Sequence, residues 1–324
     1  MNIIRIHGWD SSRLPVGVQS QFYFSALNSY YASMTNDTRQ YIDLHVHSNC
    51  SDGAFSPSML VDLAQQEGLN AFAISDHDSI AGLAEGIEAA KRSDIELIPA
   101  VELSVQYEAW QDVHLLGYGL DYTDKDFLWR LNCFREQRVH RNEAILARVN
   151  ERLKDENLLT IGLDEVLLHA RDVIGRPHIA RALLARGYVK TVEDAFRRYL
   201  ISCNIPKHYW PINDALAEIR RLGGVAVLAH PTSITTNRED LRRIINDLSR
   251  QGLDGIEVFN NLAQGGEMEF LRRRAKESGL LITGGSDFHG IEQGLQMGRG
   301  RGGVRFSDTL LAPLKNLLFE RQRT

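Results

Sequence analysis

A series of short apolar runs, each spaced like a β-strand and each delivering histidine or carboxylate, limits what this chain can fold into more than any other feature. The first is Tyr41-Ile-Asp-Leu-His45-Val-His47, followed by Ser51-Asp52-Gly53. Side chains two apart on a strand share a face, so His45 and His47 present both imidazoles to one point. The Ser-Asp-Gly turn can bring Asp52 back over that point. Taken alone, such a pair also fits two histidines hydrogen-bonded at a strand end. The later runs change the weight of that reading. Asn70 to Ser75 leads into Asp76-His77-Asp78, and Glu96 to Val101 delivers Glu102. Val113-His114 carries its histidine inside the strand. Gly224 to Ala229 delivers His230, and Leu280 to Gly285 leads to Ser286-Asp287-Phe288-His289.

Nine donors are thus expected together: His45, His47, Asp52, His77, Glu102, His114, His230, Asp287 and His289. They use six of the eleven histidines. Imidazole mixed with carboxylate suits Mn, Fe, Zn or Ni rather than Ca. One tetrahedral zinc needs only four ligands, so nine donors point to two or three ions with a bridging carboxylate such as Glu102 or Asp52, or to some donors that orient the others. Functional groups at the carboxyl ends of strands that alternate with helices describe an α/β fold, a parallel βα barrel with its site on that face. Asp76 and His289 are candidate proton handlers, a role that the sequence does not separate from ligation.

These residues carry a family resemblance. His45-x-His47 with Ser51-Asp52-Gly53, Ser75-Asp76-His77-Asp78, Val101-Glu102, His114-Leu-Leu-Gly-Tyr118, Ala229-His230-Pro231 and Gly285-Ser286-Asp287-Phe288-His289 resemble the PHP (polymerase and histidinol phosphatase) family, from about Tyr41 to about Phe306. The resemblance is greatest to the branch with 3',5'-nucleoside bisphosphate phosphatases and a bacterial 5'-to-3' exoribonuclease. It implies a distorted seven-stranded βα barrel with a helical insertion over the mouth, and two or three divalent ions, most often Mn2+, with Fe2+ or Zn2+ as alternatives. The implied reaction is hydrolysis of a nucleotide phosphate ester or of the 5' end of short RNA. Histidinol phosphate or another small phosphomonoester is the alternative substrate. A non-catalytic module of the same family is a third reading, and the intact donor set speaks against it.

The remaining sequence fills in this frame. Helical patterns run over 57–67, 79–91, 125–154, 213–222, 239–251 and 267–278, with a strand at 252–259. The barrel is expected over 41–124 and 210–310, the long helix and cap over 125–209, and a tail over 311–324. Arg135, Arg138 and Arg141 recur every three residues on the long helix, and Arg176 and His178 open a later one, where a helix amino terminus favours anions. Of these, Arg138, Arg141, Arg176 and His178 match positions that carry the same residue in the nucleotide-acting branch. One stretch departs from that branch: the segment after Arg197-Arg198-Tyr199-Leu200 is short and lacks its glycines, and Lys207 or His208 is the candidate replacement cation. The arginines of 272–274 fit an outer helix face, and 297–303 reads as a basic surface loop.

A net charge of −5 argues against a generally basic surface, so a nucleotide or short RNA substrate needs a local cationic pocket. Three widely separated cysteines suit a reducing cytoplasm, and Cys50 is read as a buried thiol rather than a ligand. No apolar stretch approaches the ~20 residues of a membrane span. Nothing points to a protein partner. Residues 1–40 are an extension of unassigned role, with Met34 a candidate natural start.

Overall fold

The computed structural model describes residues 41–169, 174–291 and 294–323. The expectations for the extension 1–40, including Met34, lie outside the described residues. Strand β1 (Tyr41–Val46) has five consecutive buried residues. A strand buried on both faces needs helices outside it and packed side chains inside. Helix α1 (Pro57–Gln66) supplies part of that cover. The Ser56 hydroxyl caps it by accepting from the Met59 N–H at 3.3 Å, and Pro57 begins it with φ already set. Leu60, Val61 and Ala64 are its buried face. Met59, which spacing groups with them, points to solvent.

β2 (Leu69–Ile74), α2 (Leu83–Ala90) and β3 (Glu96–Tyr107) repeat the unit. β1, β2 and β3 are parallel, as are β6 (Val225–Leu228), β7 (Gly255–Phe259) and β8 (Leu281–Gly284). β4 (Trp110–Tyr118) departs from the expected all-parallel barrel and runs antiparallel to both β3 and β6. Only residues 108 and 109 join β3 to β4, far too few for a parallel crossover, so the pair must be a hairpin. This reversal sets His114 opposite Ser104, in the half of β4 nearest Glu102.

Beyond β8 the Asp287 N–H donates to the His45 carbonyl, and the His47 N–H donates to the Phe288 carbonyl, each at 2.9 Å. These bonds bring the far edge of the sheet back to β1 and close it into a barrel. Seven strands have four or more residues. β5 (Trp210–Pro211) beside β3 and β9 (Phe306–Ser307) beside β1 are two-residue additions.

Between β4 and β5 lies α3 (Lys125–Asp155), capped by Asp124, whose carboxylate accepts from the Phe127 N–H at 2.8 Å. Its first half buries Phe127 and Leu131 in the barrel core. Its second half buries Ile145, Val149 and Leu153 in a separate cluster with Ile179, Leu183 and Tyr199, built from α4 (Leu163–Leu167), α5 (Arg176–Ala185), α6 (Val192–Ala195) and the π-helical turn Phe196–Leu200. The helical segment therefore has its own core. Helices α7 (Ile212–Arg221), α8 (Arg238–Gln251) and α9 (Gly265–Ser278) return to the barrel. The stretch after 310, expected as a tail, is helix α10 (Leu311–Arg321): Leu314 and Leu318 are buried, and Arg321 pairs with Asp254. Among the described residues no helix is long and apolar enough to cross a membrane.

Candidate metal centre

All nine expected donors reach one region at the carboxyl ends of the parallel strands. Their ligand atoms form four groups, each with all atoms within 4.8 Å of one another: His47, Asp52, His77 and His289; His45, His47 and Asp287; His45, Glu102 and His230; His77, Glu102 and His114. Glu102 is fully buried and faces both ways. Its Oε1 lies 3.1 Å from His114 Nδ1, 3.1 Å from His230 Nε2 and 3.4 Å from His45 Nε2, and its Oε2 lies 2.9 Å from His77 Nδ1 and 3.3 Å from His47 Nε2. That is the geometry of a bridging carboxylate. His47 and His289 stack with centroids 4.2 Å apart, and His289 Nε2 lies 3.3 Å from Asp52 Oδ1.

Hydrogen bonds on the outer ring nitrogens set which nitrogen faces inward. His45 Nδ1 meets Glu257 Oε1 at 3.0 Å, His230 Nδ1 meets the Ser233 hydroxyl at 2.8 Å, and His289 Nδ1 meets the Asp287 carbonyl at 2.9 Å. With those positions protonated, each Nε2 keeps its lone pair for the cluster. The donors fit divalent ions on a second observation. His47 Nδ1, His77 Nδ1, Asp52 Oδ1 and Glu102 Oε2 are buried without a hydrogen bond. Buried polar atoms are nearly always satisfied, so a group of bare lone pairs at one point is the mark of cation ligands.

The electrostatics of two carboxylates and of His47 agree. Burial alone raises a carboxyl, yet the imidazoles of His114, His77 and His45 hold Glu102 well below its ordinary value, and those of His289 and His77 do the same for Asp52. Burial, reinforced by His289 and His77, pushes His47 down to about 3, so it stays neutral and able to ligate.

The backbone is bent to make this possible. Asp78, His230 and Asp287 have φ of 50°, 26° and 55°, a region that non-glycine residues seldom occupy and that concentrates at functional sites. A Cβ at Gly53 would lie 2.2 Å from the His47 carbonyl oxygen, and one at Gly285 would lie 2.3 Å from the His45 Cβ. Both glycines are required by close approach.

Asp76, expected as a proton handler, has another place. Its Oδ1 accepts from the Ser48 N–H at 2.7 Å and the Ser51 hydroxyl at 2.6 Å, and its Oδ2 accepts from the Ser48 hydroxyl at 2.6 Å. These bonds spend the carboxylate on holding the loop between His47 and Asp52, and Asp76 joins none of the four donor groups. Cys50 is buried and also outside them.

Three residues were not expected at the site. Glu257 has no exposure and ties the His45 ring to the His230 N–H, the latter at 2.9 Å. Asp43, also fully buried, accepts from the N–H groups of Ser286 and Gly298 and from the Ser286 hydroxyl. Burial pushes it up to about 6 against those bonds. Asp78 accepts from the Ser104 N–H and faces Arg138 at 3.7 Å. Glu257 has no other ligand type near it in the sequence, whereas Asp43 stands two residues before His45 and Asp78 directly follows His77. Their signal is only that a charged residue stands in an otherwise apolar run or beside a ligand.

The expected anion binders separate. Lys207 Nζ reaches the Ser104 hydroxyl at 2.6 Å, and burial lowers its ammonium while Asp78 opposes that shift. Lys207, Arg138, Arg141 and His208 line one small recess with Asp78. Arg141 donates to the Ile205 carbonyl at 2.7 Å and to Asn204 Oδ1 at 2.9 Å, which also accepts from Arg176 at 3.3 Å. His178 caps its helix and keeps Nε2–H as its remaining donor. It is buried, its Nδ1 accepts from the Gly175 N–H at 2.9 Å as a helix cap, and burial pushes it down to about 4, so it brings no charge to an anion. Arg135 is exposed: three-residue steps of about 300° leave it about 120° around the helix from Arg141. The 297–303 loop is anchored rather than free, with Met297 buried and the Gly298 N–H donating to Asp43 at 2.6 Å.

A nearly closed barrel whose mouth gathers six imidazoles and three carboxylates defines a metal-dependent hydrolase. The chain belongs to the PHP domain family, whose model matches residues 43–284. It is 34% identical over 259 residues to a 3',5'-nucleoside bisphosphate phosphatase of Chromobacterium violaceum, covering 78% of this chain and 88% of that one. It is 33% identical over 255 residues to a 5'-3' exoribonuclease of Haemophilus influenzae, covering 78% and 90%. Among solved structures it resembles a metal-dependent phosphoesterase from Bifidobacterium adolescentis, with TM-score 0.75, 30% identity, and coverage of 86% and 96%. The protein is accordingly a metal-dependent phosphoesterase.

Proposed function

We propose that the centre hydrolyses a phosphate ester of a nucleotide that carries a second phosphate, either a free 3',5'-nucleoside bisphosphate or the 5' end of a short RNA. The observation that carries this reading is the junction of the two sites. Ser104, two residues beyond the bridging Glu102 on β3, holds Lys207 at the edge of the recess that Arg138 and Arg141 also line. Both kinds of substrate present a phosphoryl group to cleave and a second phosphate a nucleotide's width away. The names of the bisphosphatase and exoribonuclease relatives support the same class.

The nine donors would hold two or three ions, and we take Mn2+ as the resident metal, since imidazole and carboxylate together suit it. When bound, such ions supply a water acidified toward neutral pKa and positive charge for the phosphoryl oxygens. The chain's own contributions are positional. Glu257 and Ser233 orient His45 and His230, Asp76 braces the loop that carries Asp52, and His289 directs its Nε2 to Asp52. Arg138, Arg141, Arg176 and Lys207 hold the second phosphate, so binding energy away from the reacting bond serves the reaction. His178 contributes by shaping the start of α5. Segment 125–209 acts as a cap over the mouth, and the three free cysteines fit a cytoplasmic enzyme.

The test is phosphate release with added Mn2+ from adenosine 3',5'-bisphosphate, beside 5'-AMP, histidinol phosphate and a short 5'-phosphorylated RNA. The expected result is strong preference for the bisphosphate or the RNA. Turnover of histidinol phosphate alone would reject the reading.

A further inference from the structure

Beyond the recess, the cap carries two further arginines, Arg148 and Arg152, that the second-phosphate site does not use. Arg148 donates to the Asn204 carbonyl at 2.9 Å, and Arg152 donates to the Ser202 hydroxyl at 2.5 Å. With Arg141 and Arg176, four arginines therefore converge on one short segment, residues 202 to 205. Each of these bonds goes to a neutral carbonyl, amide or hydroxyl oxygen. No carboxylate is recorded within ion-pair distance of any of the four among the described residues, although the cap has acidic groups that pair with other arginines, as Glu156 does with Arg198. Asp112 acts on Arg141 and Arg176 from beyond ion-pair distance, whereas Arg148 and Arg152 are held in place by neutral oxygens. Arginine has five N–H donors, so one or two bonds to the segment leave others for an anion.

The spacing is regular. Arg141, Arg148 and Arg152 are separated by seven and then four residues, which puts them within about 40° of one another on α3. From the first to the last the helix rises about 16 Å, at about 1.5 Å per residue. The row starts at the recess shared with Lys207 and Arg138 and leads away from the metal centre. Rings of the cap core fix two of the guanidinium groups, Arg152 lying 5.4 Å from the centroid of the fully buried Tyr199 and Arg176 5.6 Å from that of Phe196. A cationic row that follows the backbone is how proteins hold a single strand without reading its sequence.

We infer that the Arg141–Arg148–Arg152 face of α3, buttressed by residues 202 to 205, is a track for a single-stranded RNA whose terminal nucleotide occupies the metal centre. This inference rests on the proposed nucleotide substrate and extends it from one nucleotide to a strand. Arg148 and Arg152 touch only nucleotides beyond the first. The segment that departs from the family pattern thus forms the floor of the track, and Asn204, which bonds three of the four arginines, is its centre.

The test pairs a binding assay with turnover. The variant R148Q/R152Q keeps a side-chain donor for the 202–205 segment and removes both charges, and R148K/R152K restores charge without the guanidinium. Binding of a 3'-fluorescein-labelled oligouridylate is measured by anisotropy in EDTA over a range of salt, and turnover is measured on adenosine 3',5'-bisphosphate and on 5'-phosphorylated RNAs of two to eight nucleotides. The expected result is oligonucleotide affinity lower on the order of tenfold in the Gln pair, with a salt slope shallower by about 1.4. The Lys pair should recover most of the affinity, and bisphosphate turnover should stay at the parent level in both. Parental oligonucleotide affinity and salt slope in the Gln pair would overturn the track while leaving the bisphosphatase reading intact. A parent silent on bisphosphate and RNA would reject the proposed function, and the anisotropy comparison would then judge the track by itself. A lower melting temperature in the Gln pair with no recovery in the Lys pair would assign these arginines to cap stability and likewise overturn the track.

Discussion

Replacing Glu257 with Gln tests whether the layer behind the ligands sets metal affinity. The carboxylate is fully buried and accepts from His45 Nδ1–H at 3.0 Å and from the His230 N–H at 2.9 Å. A glutamine has one acceptor oxygen where the carboxylate has two, so one of these donors must face an NH2 group. Leaving a buried donor unsatisfied costs about 1–3 kcal/mol, which for a chain of this size lowers the melting temperature of the metal-free protein by a few degrees. The second effect is separate. A carboxylate behind a ligating histidine fixes its tautomer and raises its basicity, and losing one typically costs 10- to 100-fold in metal affinity, about 1.4–2.7 kcal/mol. The assay is competition for Mn2+ against a chelator of known affinity, with melting curves in EDTA and in excess Mn2+. Metal affinity within twofold of the parent, alongside a lower metal-free melting temperature, would refute the reasoning and leave Glu257 as a structural clamp alone.

Chelation should lower the melting temperature and abolish phosphoesterase activity, since metal at 100 times its dissociation constant stabilises the folded state by about 2.7 kcal/mol; identical melting curves with and without EDTA would count against a metal centre. Gly285→Ala should cost about 1–3 kcal/mol or more and weaken metal binding together, because the new methyl meets the His45 Cβ, and a melting curve with metal titration checks both. Lys207→Gln should raise KM for the bisphosphate roughly 10- to 100-fold, the value of one charge-assisted bond, with a much smaller change for a substrate that lacks the second phosphate. His178, held near 4 against about 6.5 unfolded, binds fewer protons folded than unfolded, so its contribution is complete above the unfolded value and is lost as pH falls through 6.5 toward 4. It amounts to up to about 3 kcal/mol at neutral pH. His178→Gln, which can still accept from Gly175 as a capping-box residue, should flatten the acid limb of the denaturant-measured stability profile between pH 4 and 6.5, and an unchanged limb would contradict this assignment.

Much of the metal centre was legible in the sequence because ligands obey local rules. A strand places alternate residues on one face, so His45 with His47 and Asp287 with His289 declare themselves by spacing, and an apolar run ending in Glu102 or His230 declares which end of the barrel it serves. Glu257 carried no such mark, and the marks of Asp43, two residues before His45, and Asp78, beside His77, did not separate a ligand from a group that holds one. Each acts through a partner far away in the chain, as Asp43 does through Ser286 and Glu257 through His45, and such a partner leaves no trace in local spacing. Asp76 shows the converse: its sequence company is that of a catalytic group, and its hydrogen bonds are those of a brace.

The sequence by itself determined the class of fold, the nine donors and the presence of a charged helical segment between two halves of a barrel, since these follow from periodicity and residue chemistry along short stretches. Only the tertiary structure decided the antiparallel turn of β4 that carries His114 to the mouth, the burial that makes His178 a neutral cap, and the division of the arginines. Arg135, Arg138 and Arg141 are equally spaced in sequence, yet one meets solvent, one faces Asp78 and one is clasped by Asn204 and Ile205. What a charge does depends on which acceptor the fold brings against it, and for Arg138 and Arg141 that acceptor lies sixty or more residues away.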